Sequence, residues 1–466
     1  MKQDYLTSVA SVLTVGALIG AIVLFPGQFE QALTLAKTQV IGNFGFLFTY
    51  PAFAASLFFL VAAVTPLGRL RFGEGPPEFS TPSWLGMLFS TGMGIALLTW
   101  GVSEPRYHVE AGMSSHEALL TALNHWGLLA WVGYLGVGVM FAHALYNLRI
   151  AKPAEQLLGN GFLSRLNLVS LVVATVIGLA LTFAYASTPL RQALADGLGL
   201  EVSNAAMILT LAGFAILSSA SGLKRGIKWL SNYNSVFALG LMLAVFLLTQ
   251  PGEILAQFAR LLPEYLLRYP AMATDIGLGD PERKAWLADW LYAFEASWYG
   301  WFIFTGVFIA RISKGRSLRE LVLGILVVPS LLTGFWFVTF GLAGLEAGAE
   351  DVFQLVRDID TSGLLSLVLL LNILLFFVTS ADSAGLVCEM LTARRTRIFW
   401  ILAMAGLAIV IGGLGGDVYR VILTLISVSA IPVALGIFAL TGAFLLRLKR
   451  DRAAMPETRG GGSEPA

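Results

Sequence analysis

About twelve stretches of roughly 20 mostly apolar residues follow one another along this chain, at 6–25, 42–65, 83–103, 122–147, 163–188, 203–221, 230–249, 287–312, 319–345, 363–391, 397–414 and 418–446. A bilayer core needs about that many residues per helix. The pattern predicts an all-α integral membrane protein with 12 transmembrane helices. Composition agrees: 57% of the residues are hydrophobic and 13% charged, more apolar surface than a soluble fold can hide. A water-soluble enzyme, a nucleic-acid binder and a disordered scaffold are excluded on that ground. The formal charge of +1 gives no polyanion-binding signal. One cysteine, Cys388, excludes a disulfide framework and any CxxC site. The four histidines, His108, His116, His125 and His143, are scattered, and none pair at metal-ligand spacing. The first stretch follows Lys2 directly, but it is too long for a signal-peptide core and lacks a small-residue cleavage site, so it is expected to stay as a span.

Basic residues set the expected orientation. Alternate loops carry Arg69/Arg71, Arg149/Lys152/Arg165, Lys224/Arg225/Lys228, Arg311/Lys314/Arg316/Arg319 and Arg394/Arg395/Arg397, followed by the tail from Arg447 to Arg459. With Lys2 that side holds about 21 of the 30 Lys and Arg, which predicts a plasma (inner) membrane protein with both termini cytoplasmic. Alternation of this kind requires an even number of spans. Two regions are not spans. Pro251–Tyr269 carries apolar residues at helical spacing with a polar opposite face, either an outer interfacial helix or an ordinary amphipathic loop helix. The tail 448–466 is polar and Gly/Pro-bearing towards its end and is expected to be disordered.

Two spans carry glycine where a transporter site wants an interrupted helix. The third holds Ser90-Thr91-Gly92-Met93-Gly94, and the eighth holds Ser297-Trp298-Tyr299-Gly300-Trp301. Five spans separate them, and an odd number per repeat inverts the second copy. The spacing predicts a 5+5 inverted repeat at 81–250 and 287–447, with two extra helices in 1–80 and an outer loop with its helix at 251–286. Ordinary packing glycine remains the alternative.

Polar groups inside spans need a reason. Thr379-Ser380-Ala381-Asp382-Ser383 interrupts an apolar tenth span. Adjacent hydroxyls are hard ligands for a small dehydrated alkali cation, or they bond the backbone one turn back. Asp382 is costly in lipid unless paired. Glu295 either faces a cationic substrate, carries a proton, or lies near enough to the outer surface to be solvated. His143 is expected to hydrogen-bond between helices.

Trp131 and Tyr134 are i, i+3 in the fourth span, with Trp126 one turn away, and Trp298 and Trp301 are i, i+3 in the eighth. Several such rings around one volume box a quaternary ammonium; the alternative is an aromatic belt at the lipid interface. No HExxH, GxSxG or metal-spaced His/Asp cluster points to an enzyme.

Four runs in order, GMGIALLTWGVSEP (Gly92–Pro105), HWGLLAWVGY (His125–Tyr134), ASWYGWFIFTGVFIARISKGRSLRE (Ala296–Glu320) and VTSADS (Val378–Ser383), resemble the signatures of the betaine/choline/carnitine transporters. The resemblance implies a LeuT-like inverted repeat, alternating access and a homotrimer in the lipid membrane. It implies an aromatic box of Trp126, Trp131, Tyr134 and Trp298 with Trp301 as a gate below. It also implies a sodium (Na+) site from the carbonyls of Ser90, Met93 and Phe376 and the hydroxyls of Thr379 and Ser380. On this reading the chain takes up a quaternary ammonium or methylated zwitterion with sodium. A betaine carboxylate would meet backbone N–H groups around Gly92 and Gly94. The alternatives are a proton-coupled choline or cation carrier using Glu295, and a sodium-independent exchanger. The family usually has tryptophan where this chain has Glu295 and Ser297, and often glycine at Ala96. Thr175 is present, but Leu179 stands where a second cation site wants a hydroxyl.

Overall fold

The computed structural model describes residues 5–92, 94–158, 161–221, 226–392, 395–413 and 418–454. Lys2, Met93, Lys224, Arg225, Arg394 and Arg459 fall outside them, as does the tail from 455. The described chain is helical, with one isolated antiparallel bridge between Arg71 and Ser317. Its helices are α1 (Tyr5–Leu24), α2 (Pro26–Phe44), α3 (Phe46–Val64), α4 (Thr81–Gly92), α5 (Gly94–Glu110), α6 (Ser115–Trp126), α7 (Leu128–Ala142), α8 (Pro153–Gln156), α9 (Phe162–Leu198) and α10 (Asn204–Ser221). They continue with α11 (Gly226–Leu248), α12 (Pro251–Ala273), α13 (Pro281–Trp286), α14 (Ala293–Ile312), α15 (Leu318–Leu321), α16 (Val328–Ala347), α17 (Val352–Ile359), α18 (Leu364–Leu391), α19 (Arg397–Gly412) and α20 (Val418–Ala454). Among the described residues eight segments are long and apolar enough to cross a membrane: 5–24, 46–64, 115–147, 162–196, 229–248, 318–347, 364–391 and 421–447.

Polar caps mark several ends. Ser114 accepts the Glu117 N–H at 3.2 Å and starts α6. Asp280 and Asp351 do the same for α13 and α17, and Ser317 with Glu320 forms a reciprocal capping box. The core is built on α14, which packs against α7, α9 and α20. Glycines let it approach α7 closely. A Cβ on Gly133 would lie 2.2 Å from the Phe302 ring, and one on Gly306 would lie 2.4 Å from Val137.

Four expectations are corrected. Residues 26–44 form a helix, α2, that packs on α20; Pro26 at its first turn separates it from α1. The eighth span is not broken at Gly300, because α14 runs unbroken from Ala293 to Ile312. Gly300 instead meets Gly178, whose Cβ would lie 2.7 Å from the Gly300 carbonyl, so the glycine serves helix–helix contact. The fourth span breaks at Gly127, between α6 and α7. The helix expected to end near 446 continues to Ala454, so the first part of the 448–466 tail is helical.

Candidate functional site

Two helix breaks shape the interior. α4 ends at Gly92 and α5 starts at Gly94, with their axes bent by 64°. A Cβ on Gly94 would lie 1.8 Å from the Phe376 ring, so only glycine lets this backbone pass α18. At the second break, a Cβ on Gly127 would lie 2.5 Å from the Leu123 carbonyl. The orphan Leu128 N–H at the start of α7 is met by the Tyr265 hydroxyl of α12 at 3.2 Å.

Between these breaks lies a cavity of about 40 Å³ lined by Gly92, Gly94, Trp126, Ser297, Trp298, Trp301 and Ser380, among others. The Trp126 and Trp298 rings meet edge to face with centroids 4.9 Å apart, and Trp301 follows at 6.0 Å from Trp298. Trp126 Nε1–H donates to Glu104 Oε2 at 2.5 Å, and Trp298 Nε1–H to the His125 carbonyl at 3.3 Å. Ser297 Oγ donates to the Phe294 carbonyl at 2.6 Å. The lining is thus aromatic faces plus a few hydroxyls and backbone groups, suited to a soft cation with a polar end. The volume has room for a few waters, so a bulkier guest enters only if the rings part.

Trp131 and Tyr134 are not on that wall. Both are fully buried, their rings 5.5 Å apart, with Trp131 stacked on Phe89 at 6.4 Å. Tyr134 Oη donates to the Gly92 carbonyl at 3.0 Å, so the pair clamps the end of α4 from behind. Glu295 is also off the wall and is 1% exposed, which removes the solvated reading. Its Oε1 has no hydrogen-bond partner, and the groups within its electrostatic reach are Tyr134, Tyr265, Tyr269 and Tyr299.

Behind the cavity, oxygens converge. Thr379 Oγ1 lies 3.0 Å from the Phe376 carbonyl and 3.3 Å from the Ser90 carbonyl across on α4. It also bonds Leu375 one turn back at 3.0 Å, so the hydroxyl makes both kinds of contact weighed from sequence. Ser380, next in the chain, reaches the cavity wall. These are the donors an alkali cation takes. Sequence reasoning missed the seam beyond: Asn234 Nδ2 donates to Ser90 Oγ at 3.5 Å and Asn372 Nδ2 to Asn234 Oδ1 at 2.6 Å. Asn372, a lone amide in the apolar start of α18, was the available signal. Asp382 is paired: Ser218 and Ser219 donate to it at 3.2 and 2.5 Å, and Arg397 bridges it. His143 sits in a π-helical turn with its ring edge-on to Phe72 and Phe444 at 6.4 and 5.6 Å. Thr175 bonds its own helix, donating to Leu171 O at 2.8 Å.

The histidines are not all scattered. His108 on α5 and His125 on α6 converge on Glu104, which accepts from His125 Nδ1 at 2.7 Å. The Glu104/His108 spacing of four residues was legible as one helix face. A second cavity of about 310 Å³ is lined by Glu117, Asn124, His125, Arg268, Arg283 and Trp286 among others.

The model of the betaine/carnitine/choline family of transporters matches residues 6–453. The chain is 31% identical to an uncharacterised transporter of Mycobacterium tuberculosis, over 96% of this chain and 83% of that protein. It is 30% identical to a glycine betaine transporter of Bacillus subtilis, over 92% and 91%. It is 31% identical to a betaine/ectoine transporter of Corynebacterium glutamicum, over 92% and 75%.

Proposed function

The chain belongs to the betaine/carnitine/choline family of transporters, and on that premise we propose that it takes up a betaine-type compatible solute together with sodium, by alternating access. The observation that carries this reading is the convergence of Trp126, from α6, with Trp298 and Trp301, from α14, on one cavity bordered by Ser380. The methylated nitrogen is held by cation–π attraction to these rings, and backbone N–H groups beside Gly92 and Gly94 meet the carboxylate. Ser90, Phe376, Thr379 and Ser380 supply oxygens that suit a dehydrated sodium ion. Inward passage of one positive charge is favoured by about 2.3 kcal/mol per 100 mV.

The architecture proposed is LeuT-like with twelve spans. That number is reached by counting the bent pair α4–α5, the shorter apolar helices α10 and α19, and α14 with the eight. The termini are cytoplasmic, the membrane is the plasma membrane, and the assembly is a homotrimer.

Uptake of labelled methylammonium and sulfonium solutes by purified protein in liposomes tests the reading. Trp298→Leu and Trp301→Leu should each raise the half-saturating concentration about 2- to 30-fold, since one cation–π face contributes about 0.5–2 kcal/mol. Unchanged values would remove the cage. Thr379→Ala with Ser380→Ala should abolish sodium-dependent uptake in folded protein, and intact sodium dependence would remove the cation assignment.

A second reading rests on Glu295, a buried carboxyl with an unpartnered oxygen, as a proton carrier for a choline-like substrate. Uptake in sodium-free buffer driven by a pH gradient, and lost in Glu295→Gln, would favour it.

A further inference from the structure

Solute transport as proposed uses Glu104 to hold Trp126 but gives no role to the two histidine side chains buried against it. Glu104 and His108 lie four residues apart on α5, and His125 is the penultimate residue of α6. Glu104 Oε1 is 2.7 Å from His125 Nδ1 and 3.6 Å from His108 Nε2. One donor atom from each side chain lies within 4.8 Å of the other two. All three side chains are at most 1% exposed. Yet both ring nitrogens of His108, and Nε2 of His125, have no hydrogen-bond partner. Buried polar atoms are seldom left in that condition, and three of them around one carboxylate point to a ligand.

We propose that Glu104, His108 and His125 form a binding site for a divalent transition-metal ion of the zinc class. Two imidazoles and a carboxylate are the donor set of zinc sites that keep a fourth position open. Bonds of about 2.0–2.2 Å set donor atoms about 3.3–3.5 Å apart; the Glu104–His108 pair at 3.6 Å is already near that separation, and the Glu104–His125 pair opens from 2.7 Å as its shared proton leaves. The proton between His125 Nδ1 and Glu104 Oε1 is displaced to solvent as the ion binds. Glu104 Oε2 keeps its bond from Trp126 Nε1–H, an outer contact that orients a ligating carboxylate. Trp290 and Trp286, with centroids 4.5 and 6.0 Å from the His108 ring, wall the site off. The second cavity reaches His125 and gives the ion an entry path and a water for the open position. An ion bound there fixes the carboxylate that holds Trp126. On the transport reading it therefore slows solute uptake.

Binding is measured apart from transport, so either idea can fail alone. Tag-free protein stripped with a chelator is titrated with Co²⁺, then with Zn²⁺. One equivalent of tetrahedral Co²⁺ absorption, displaced by Zn²⁺, is expected. His108→Ala and His108→Phe should weaken binding at least tenfold, and His116→Ala should leave it unchanged. Absence of the absorption, or binding lost in His116→Ala but kept in the His108 variants, overturns the site. If neither His108 variant folds, X-ray absorption of zinc-loaded wild type decides. Two imidazoles and one carboxylate support the proposal, and fewer than two imidazoles overturn it.

Discussion

Trp126 is fixed by what lies behind it. Its indole N–H meets Glu104 at 2.5 Å, and its ring is 4.9 Å from Trp298 and 5.7 Å from Phe337. A hydrogen bond to a charged group contributes about 1.5–3 kcal/mol. Glu104→Ala should therefore free the indole and raise the half-saturating solute concentration about tenfold or more, while Glu104→Gln, which keeps an acceptor oxygen, should lose less. Equal losses in the two variants, measured as uptake by liposomes, would show that Glu104 does not position the ring. At this scale the sequence is informative about neighbours on one helix and silent about partners between helices. The i, i+3 spacing of Trp298 and Trp301 announces a shared face, and both rings reach the cavity. Trp131 and Tyr134 have the same spacing, but α7 starts anew at Gly127, and the break turns that face toward Gly92. His125 joins Glu104 only because α5 and α6 fold back on each other.

The helices themselves are legible from apolar length, since lipid admits little else, but their breaks are not. Glycine is used here in two ways that look alike in sequence. Gly94 and Gly127 accompany interruptions, whereas Gly178 and Gly300 bring two intact helices together. Gly178→Ala drives a methyl group against the Gly300 carbonyl and should cost about 1–3 kcal/mol, while Gly406→Ala, with nothing within 4 Å, should be neutral or stabilising. Thermal unfolding in detergent compares the two, and equal melting would refute the contact. The amphipathic α12 packs against the fourth-span break, where Tyr265 meets the first N–H of α7. Its polar face carries Arg268, which bridges Glu264 at 2.9 Å and Glu117 at 2.7 Å, with His116 2.8 Å from Glu264. The hydrogen bond from Arg268 first, and that from His116 next, hold the Glu264 carboxyl below its usual range. A depressed folded-state value means stabilisation is present above the unfolded-state pKa and lost as pH falls through the folded-state one. The Glu264 side chain is about a third exposed, at 37%, so the effect is small and screened by salt. Limited proteolysis near residues 274–280 should therefore speed up on acidification, less so in Glu264→Gln. Identical pH profiles for the two proteins would count against the link.

For the whole molecule, the central question is which way the bundle faces and how it opens. The aromatic cavity, at about 40 Å³, has room for a few waters, while the second, at about 310 Å³, borders α12 and the 281–291 segment. His125 lines the second cavity and its chain neighbour Trp126 lines the first, so the α12 end is the side on which the proposed solute path would open. On the proposed uptake reading that end faces outward. The orientation expected from the basic residues agrees, since Arg311 lies in the last turn of α14 and Lys314, Arg316 and Arg319 follow it. Single cysteines on either side of the 287–312 segment report the orientation. Leu278 is 89% exposed before it, Lys314 is exposed after it, and native Cys388 is buried and shielded from a bulky reagent. In intact cells a membrane-impermeant maleimide should label Leu278→Cys at once and Lys314→Cys only after permeabilisation. The reverse pattern would turn the bundle over, and with it the direction in which a membrane potential drives the solute.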